Sequence, residues 1–425
     1  MHVQKLKLER YRGAQCLSLE LHEKLNVFVG MNGVGKSSIL DATAILLSWL
    51  VNRIKYVGAS GRPIMEADIK NGDSSANLEI TLNEDGSYFG WSIAKVRKGR
   101  SKKDVVSILV SVSDAAKKMQ SEISKSQGQV NLPLLVYYPV NRAVLDIPLR
   151  IRDKHSLDLL SAYDEALTSG ANFRTFFEWF REREDLENEN RIYADHLIKP
   201  DGFQFPDMQL EAVRKALAQF MPEFKNLTVR RNPLRMEVEK LGERITVNQL
   251  SDGEKCLMAM IGDLARRMAV ANPLRNNPLE GKGVVLVDEV DLHLHPKWQR
   301  MIIPKLVEVF PNCQFLISTH SPHVITHVRP ENLFLLRTTE DGLDALRPLE
   351  SYGKTAERIL EDLMGLETTR PNDVNDWLRK IYEQINVGNL ELAANSIREL
   401  EGVIGDDPDL AKAAVLIKRK ELIGK

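Results

Sequence analysis

Residues 26 to 42, NVFVGMNGVGKSSILDA, join an apolar run, a cluster of glycines, a lysine, two serines and a set of helix-forming residues. Gly30-Met31-Asn32-Gly33-Val34-Gly35-Lys36-Ser37 fits G-x-x-x-x-G-K-[ST], with a strand-like run before it and a helical one after it. Glycines let successive backbone N–H groups, from Asn32, Gly33, Val34 and Gly35 through Ser38, curl around a phosphate at the positive end of a helix. Lys36 has the reach for the β- and γ-phosphates of ATP, and the Ser37 hydroxyl is placed to ligate Mg²⁺. The plain alternative is a glycine-rich turn that only connects a strand to a helix; the full pattern in its required context favours the phosphate.

A phosphate loop fixes the ligand class and leaves the job open. Downstream, GVVLVDE ends an apolar strand on Asp288 and Glu289. A carboxylate at the C-terminal end of a strand is where a nucleotide-bound Mg²⁺ needs a ligand, so Asp288 is the metal candidate. Glu289 beside it is the candidate to orient or deprotonate the attacking water. Ahead of that strand, Ser251-x-x-Glu254 in LSDGEK is a capping box, which by itself specifies a helix start and nothing more.

Taken together, LSDGEK, the acidic strand and the phosphate loop resemble ABC-class ATPases of the RecF, SMC and OLD-like group. The order of the other pieces agrees: VDLHLHP resembles the loop that follows the acidic pair, His320 in LISTHSPHV matches the switch histidine, and LKLERYRG followed by LNVFVG is how RecF-like heads begin. The resemblance implies that two heads pair head to tail, with each ATP held between one phosphate loop and the signature helix of the other copy. Ser251, Gly253 and Glu254 would then face the nucleotide gripped by Lys36 across the interface, and His320 would meet the γ-phosphate or the water. Asp252 departs from the pattern, standing where the broad group often has glycine; a carboxylate near a triphosphate must point away or meet a cation. No glutamine stands out for the loop that usually follows the neighbouring strand. Tyr138-Pro139 and Arg142 occupy a comparable place, or simply form the sheet edge.

Asp288, Glu289, Asp291, His293 and His295 crowd together closely enough to raise a transition-metal site as a rival. Residues two apart share a face only on a regular extended segment, and Pro296 argues against one.

The elements that must carry these residues follow from the apolar periods. Residues 3 to 12 alternate like a half-buried strand, KLNVFV is a more buried one, residues 76 to 94 form two strands around Glu-Asp-Gly, and residues 134 to 138 another. Helical spacing takes over from 152 to 222, and strands return at 227 to 247, GVVLVDE, CQFLIST and NLFLLR. The expected fold is α/β: an ABC-type ATPase head with a mixed sheet and antiparallel N-terminal strands, an inserted helical arm and a C-terminal helical domain. The expected divisions are an N-terminal ATPase lobe at 1–151, the insertion at 152–222, a C-terminal ATPase lobe at 223–351 and a helical partner-docking domain at 352–425.

With 58 Lys plus Arg against 59 Asp plus Glu, no global charge draws the chain to nucleic acid or to a membrane. A local basic run, Lys95, Arg97, Lys98, Arg100, Lys102 and Lys103, is a candidate DNA contact or a solvated loop. Phe173, Phe176, Phe177, Trp179 and Phe180 fit a core of the arm better than a base-stacking platform. Three dispersed cysteines fit a reducing, cytoplasmic setting, and no apolar run reaches membrane-spanning length.

YYPVNRAVLDIPLR, FFEWFREREDLENEN, LSDGEK and YGKTAERILEDLMG resemble the ATPase subunit of Septu-type anti-phage systems and of retron-associated defence ATPases. That resemblance implies a homodimer or larger homo-oligomer that works with a separate HNH-type nuclease subunit, since the residues after Gly353 leave no room for the nuclease domain of OLD-like relatives. The helices there suit self-packing or a docked partner. Two other readings compete. A RecF-like repair protein would bind DNA in an ATP-dependent way on its own, and a small-molecule kinase would leave residues 250 to 255 without a purpose.

Overall fold

Two kinds of apolar pattern become two kinds of sheet in the computed structural model, which describes residues 1–99, 106–140, 158–168, 173–194, 203–340 and 342–423. Arg100, Lys102, Lys103, Arg142, most of YYPVNRAVLDIPLR and the expected boundary at 151/152 lie outside the described residues.

β1 (His2–Tyr11) and β2 (Ala14–Glu20) alternate between buried and accessible side chains, whereas β3 (Leu25–Val29) is buried at every position. The glycine loop leads from β3 into α1 (Lys36–Lys55). β4 (Ser75–Glu84) and β5 (Ser87–Val96) form a hairpin whose turn, Asp85-Gly86, has φ of 52° and 88°. α2 (Val110–Lys125) precedes β6 (Leu134–Tyr138), which is again wholly buried. α3 (Phe173–Arg191) and α4 (Met208–Phe220) are followed by the meander β7 (Phe224–Arg231), β8 (Leu234–Lys240) and β9 (Glu243–Thr246). Then come α5 (Asp252–Ala271), β10 (Gly283–Val287), α6 (Pro296–Val309), β11 (Cys313–Ser318), the short α7 (Pro322–Ile325), β12 (Leu333–Thr339) and β13 (Gly342–Leu346).

The alternating strands make an antiparallel sheet of order β2-β1-β4-β5. The wholly buried runs β3, β11, β10 and β6, together with the partly buried β12, make the parallel part of a sheet of order β13-β12-β3-β11-β10-β6, with β13 antiparallel at one edge. The six-stranded sheet is mixed, as expected from the sequence, and the antiparallel N-terminal strands form a sheet of their own. Strands covered on both faces are apolar along most of their length, and a polar residue there, such as Asn26 or Gln314, must find partners inside, whereas strands with one accessible face alternate. Residues of α1 and of both sheets share one core that includes Leu8, Leu46, Leu78, Leu286 and Leu316. Trp91 Nε1 on β5 donates to the Leu46 carbonyl of α1 at 3.1 Å. Gln314 on β11, 1% exposed, accepts from Val3 N at 2.7 Å and donates to Val3 O at 2.7 Å and His22 O at 2.8 Å, tying the two sheets together.

α3 does not stand free. Phe173, Phe176, Phe177, Trp179 and Phe180 are buried, and a Cβ on Gly262 of α5 would lie 2.9 Å from the Phe176 ring. That missing side chain lets the aromatic face seat on α5. Glu184 on α3 accepts from Arg231 Nη1 on β7 at 2.7 Å, and Glu187 accepts from Arg214 Nη1 on α4 at 2.9 Å.

The chain divides into compact units at Met1–Lys354 and Thr355–Lys425. The second has the one-turn α8 (Ala356–Arg358), then α9 (Asn372–Val387), α10 (Leu390–Ile404) and α11 (Pro408–Ile423). Ile381, Ile385, Ala393, Leu400 and Ala413 form a core of its own. Gly388, at φ 92°, takes the left-handed conformation that ends α9. No described helix is long and apolar enough to cross a membrane.

Candidate active site

The parallel order puts the C-terminal ends of β3, β11 and β10 side by side, which is where open α/β sheets bind ligands. The glycine loop leaves β3, Asp288 and Glu289 follow β10, and Thr319 and His320 follow β11.

Gly33 and Gly35 adopt φ of 78° and 119°, values that side chains resist, and this curls the loop onto the first turn of α1. No side chain caps α1 and its first turn holds no acidic residue, so its N–H groups are left for an anion. Asn32, Gly33 and Ser37 are exposed, Gly35 and Ser38 are partly so, and Val34 anchors the loop in the core. Lys36 is 4% exposed, and its Nζ donates to Gly30 O and Met31 O at 2.9 Å each. Burial pulls the Lys36 pKa below its ordinary value against the attraction of Glu289, Asp288 and Asp291. The lysine therefore faces the acidic strand end.

Asp288 is 1% exposed; its N–H donates to Tyr138 O at 2.9 Å, and its carboxylate accepts from the Ser318 hydroxyl. Ser318 Oγ in turn accepts from Glu289 N at 2.7 Å. Glu289 has φ of 46°, a left-handed conformation that costs on the order of 1–3 kcal/mol in a non-glycine residue and marks functional sites. Asp291 accepts from the Thr319 hydroxyl and, at 3.4 Å, from His320 N. Burial first, then the Lys36 cation, lower the His320 pKa, so its imidazole is neutral at neutral pH. Lys36, Asp288, Glu289 and His320 thus form one electrostatic cluster.

The transition-metal rival breaks up. His295 caps α6 by accepting from Lys297 N at 3.2 Å, and His293 is exposed with φ of 62°. Among the described residues no three His, Cys, Asp or Glu side chains gather as ligands. An exposed serine hydroxyl at a helix start and a buried aspartate at the adjoining strand ends are hard oxygen donors, which suit Mg²⁺ with water and phosphate completing its shell.

The signature helix, α5, starts as the capping box requires. Ser251 Oγ accepts from Glu254 N at 3.4 Å, while Glu254 Oε2 accepts from Ser251 N at 2.8 Å and Ser251 Oγ at 2.9 Å. Ser251 is exposed. Glu254, 8% exposed, turns inward to receive Lys240 Nζ at 2.5 Å, so its carboxylate holds the helix start. Asp252 points to solvent and meets a cation, Lys255, at 3.4 Å. Gly253 packs on the backbone of the loop that follows Glu289. None of the signature residues is among the groups that shift Lys36 or His320.

Sequence reasoning passed over Ser318 and Gln299, and weighed Asp291 only as a ligand of the rival metal site. Gln299 Oε1 accepts from Ser321 Oγ at 2.7 Å and its Nε2 donates to Leu294 O at 2.8 Å, joining the loop after Glu289 to the loop after His320. The polar run after an apolar strand, ISTHS, was the available signal for Ser318. In the basic run, Arg97 is spent on the backbone carbonyls of Asp73 at 2.8 Å and Ile69 at 3.1 Å.

The family described as "AAA domain, putative AbiEii toxin, Type IV TA system" matches residues 25–326. A retron Ec83 probable ATPase from Escherichia coli is 30% identical over 99% of this chain and 87% of its own length. The Septu protein PtuA of Bacillus thuringiensis is 23% identical over 87% of this chain and 85% of its own. Among solved structures, an SMC head domain from Thermotoga maritima aligns with 82% of this chain and all of its own, at a TM-score of 0.44 and 15% identity.

Proposed function

This chain belongs to the AAA-domain family that includes the retron probable ATPases, and from that premise we propose that it hydrolyses ATP with Mg²⁺, pairing with a second copy through the bound nucleotide. The observation that carries the reading is the gathering of Lys36, Asp288, Glu289 and His320 beside a helix start left uncapped for an anion.

The N–H groups of residues 32 to 38 bind the phosphates, and Lys36 exchanges two loop carbonyls for phosphate oxygens. Ser37 and Asp288 would hold Mg²⁺, which when bound draws negative charge off the phosphates. Glu289, held by its N–H on Ser318, orients the attacking water and takes its proton. Neutral His320 hydrogen-bonds the γ-phosphate or the water. The exposed Ser251 and the N-terminus of α5 bind the γ-phosphate of the other copy, and hydrolysis cuts that phosphate from ADP so that its departure releases the copies from each other.

The biological reading is anti-phage defence, with the nucleotide state of this chain governing an HNH-type nuclease subunit docked on residues 352–425. Its support is the likeness to the retron and Septu proteins. The gene neighbourhood tests this first, since an HNH-type gene is expected beside this one, and co-expression of the two proteins should then give a stable complex. Failure to form one, or ATP-dependent DNA binding by the chain alone, favours the RecF-like reading.

For the chemistry, Glu289→Gln should retain ATP binding, lose hydrolysis and accumulate the paired form, while Lys36→Ala should lose nucleotide affinity. Normal turnover by Glu289→Gln contradicts the assignment of the base.

A further inference from the structure

The described residues hold a buried polar cluster that the proposed chemistry does not use. Asp263, in the middle of the signature helix, is fully buried between Arg266 and Arg267, themselves 2% and 1% exposed. Its Oδ1 accepts from Arg266 Nη2 at 2.8 Å, and its Oδ2 accepts from Arg267 Nε at 2.7 Å and from the Tyr138 hydroxyl at 3.0 Å. Arg267 Nη1 continues to the carbonyls of Ala162 at 2.7 Å and Asp164 at 2.9 Å. In the same segment, Ala166 O accepts from Tyr137 N at 2.7 Å.

One carboxylate between two guanidiniums, sealed from water, is costly to build and more costly to break, since each partner lost leaves a charge without its counterpart. Such a cluster fixes geometry where it stands. Tyr138 is at its centre. The Tyr138 carbonyl receives the N–H of Asp288, the metal candidate, and the Tyr138 hydroxyl reaches the helix that begins at Ser251. A single residue, through its carbonyl on one side and its hydroxyl on the other, therefore joins the end of the phosphate half to the body of the signature half.

We infer that Tyr138 and Asp263 are positioning residues: their hydrogen bond fixes the end of β6, and through it Asp288, against the signature helix, so that both halves of a protomer move as one body. This rests on the proposed ATPase reading. A shift of α5 caused by nucleotide or by a second copy would reach Asp288 through Tyr138, and neither residue touches the nucleotide.

Tyr138→Phe removes the hydroxyl and leaves the ring and both ion pairs. Tyr163→Phe is the matched control, because it deletes another buried hydroxyl in the segment that Arg267 braces, bonded to Pro133 O at 2.7 Å and to neither Tyr138 nor Asp263. Both variants are followed by thermal melting, by fluorescent ATP binding in EDTA, and by turnover against Mg²⁺ concentration. Tyr138→Phe is expected to lower kcat and raise half-saturating Mg²⁺, each by about tenfold, the low end of what losing support behind a metal ligand does. Its nucleotide affinity in EDTA should match wild type, and Tyr163→Phe should lose similar stability with normal turnover and Mg²⁺ response. Equal behaviour of the two variants, or a parallel loss of affinity in EDTA, overturns the link while leaving the ATPase reading intact. A wild-type chain that neither binds nor hydrolyses ATP overturns the ATPase reading and the link with it.

Discussion

The carbonyl oxygen of His293 lies 2.3 Å from where a Cβ on residue 253 would be. Gly253 is the one residue in the first turn of the signature helix whose side chain is replaced by backbone of the loop that leaves Glu289. The N-terminus of α5 and the candidate base are thus in contact through a few residues of one chain, and His293 holds its place with φ of 62°. Without a Cβ, the helix start and the loop settle together; with one, something must shift.

Gly253→Ala should therefore separate binding from turnover. The methyl group displaces either the helix start or the loop by about an ångström, and a displacement of that size at a catalytic group costs up to about 100-fold in rate. We expect kcat to fall between about tenfold and 100-fold with nucleotide affinity unchanged, as read by steady-state hydrolysis and by fluorescent ATP titration. Unchanged kcat means that the contact does not position Glu289.

The pH dependence has a defined sign. Burial and the Lys36 cation both disfavour protonated His320, so its folded pKa lies below the ordinary histidine value. As the pH falls, the imidazole should therefore take up its proton, and the rate begin to drop, at a pH below the ordinary histidine value. His320→Gln should lower kcat and abolish that drop. A profile that bends at the ordinary histidine value contradicts the placement.

Much of this was legible in the sequence because short-range chemistry dictated it. Gly33, Gly35, Lys36 and Ser37 lie in one short stretch, Ser251 and Glu254 are one turn apart, and short, mostly apolar runs identify strands of the parallel sheet. What escaped depends on residues distant in sequence. Gln314 joins β11 to Val3 across 311 positions, and Tyr138 finds Asp263 across 125, contacts that no local period encodes. Glu254 was legible as the capping partner of Ser251, but its ion pair with Lys240, on a strand before the helix, was not. The short β13 and α2 also passed unnoticed. One is an edge strand of modest apolar content, and the other is a polar helix with a narrow buried stripe.

The central claim, that ATP is held between Lys36 of one copy and Ser251 of the other, has a direct test in mixing two inactive variants. In Lys36→Ala every site lacks the lysine, and in Ser251→Arg every site has a blocked signature. A mixed head-to-tail pair holds one site with both defects and one with neither, so an equal mixture should recover about a quarter of wild-type ATPase activity if copies exchange freely and sites act independently. Activity no higher than the sum of the two variants alone, under conditions where exchange of copies is demonstrated, would contradict the shared site.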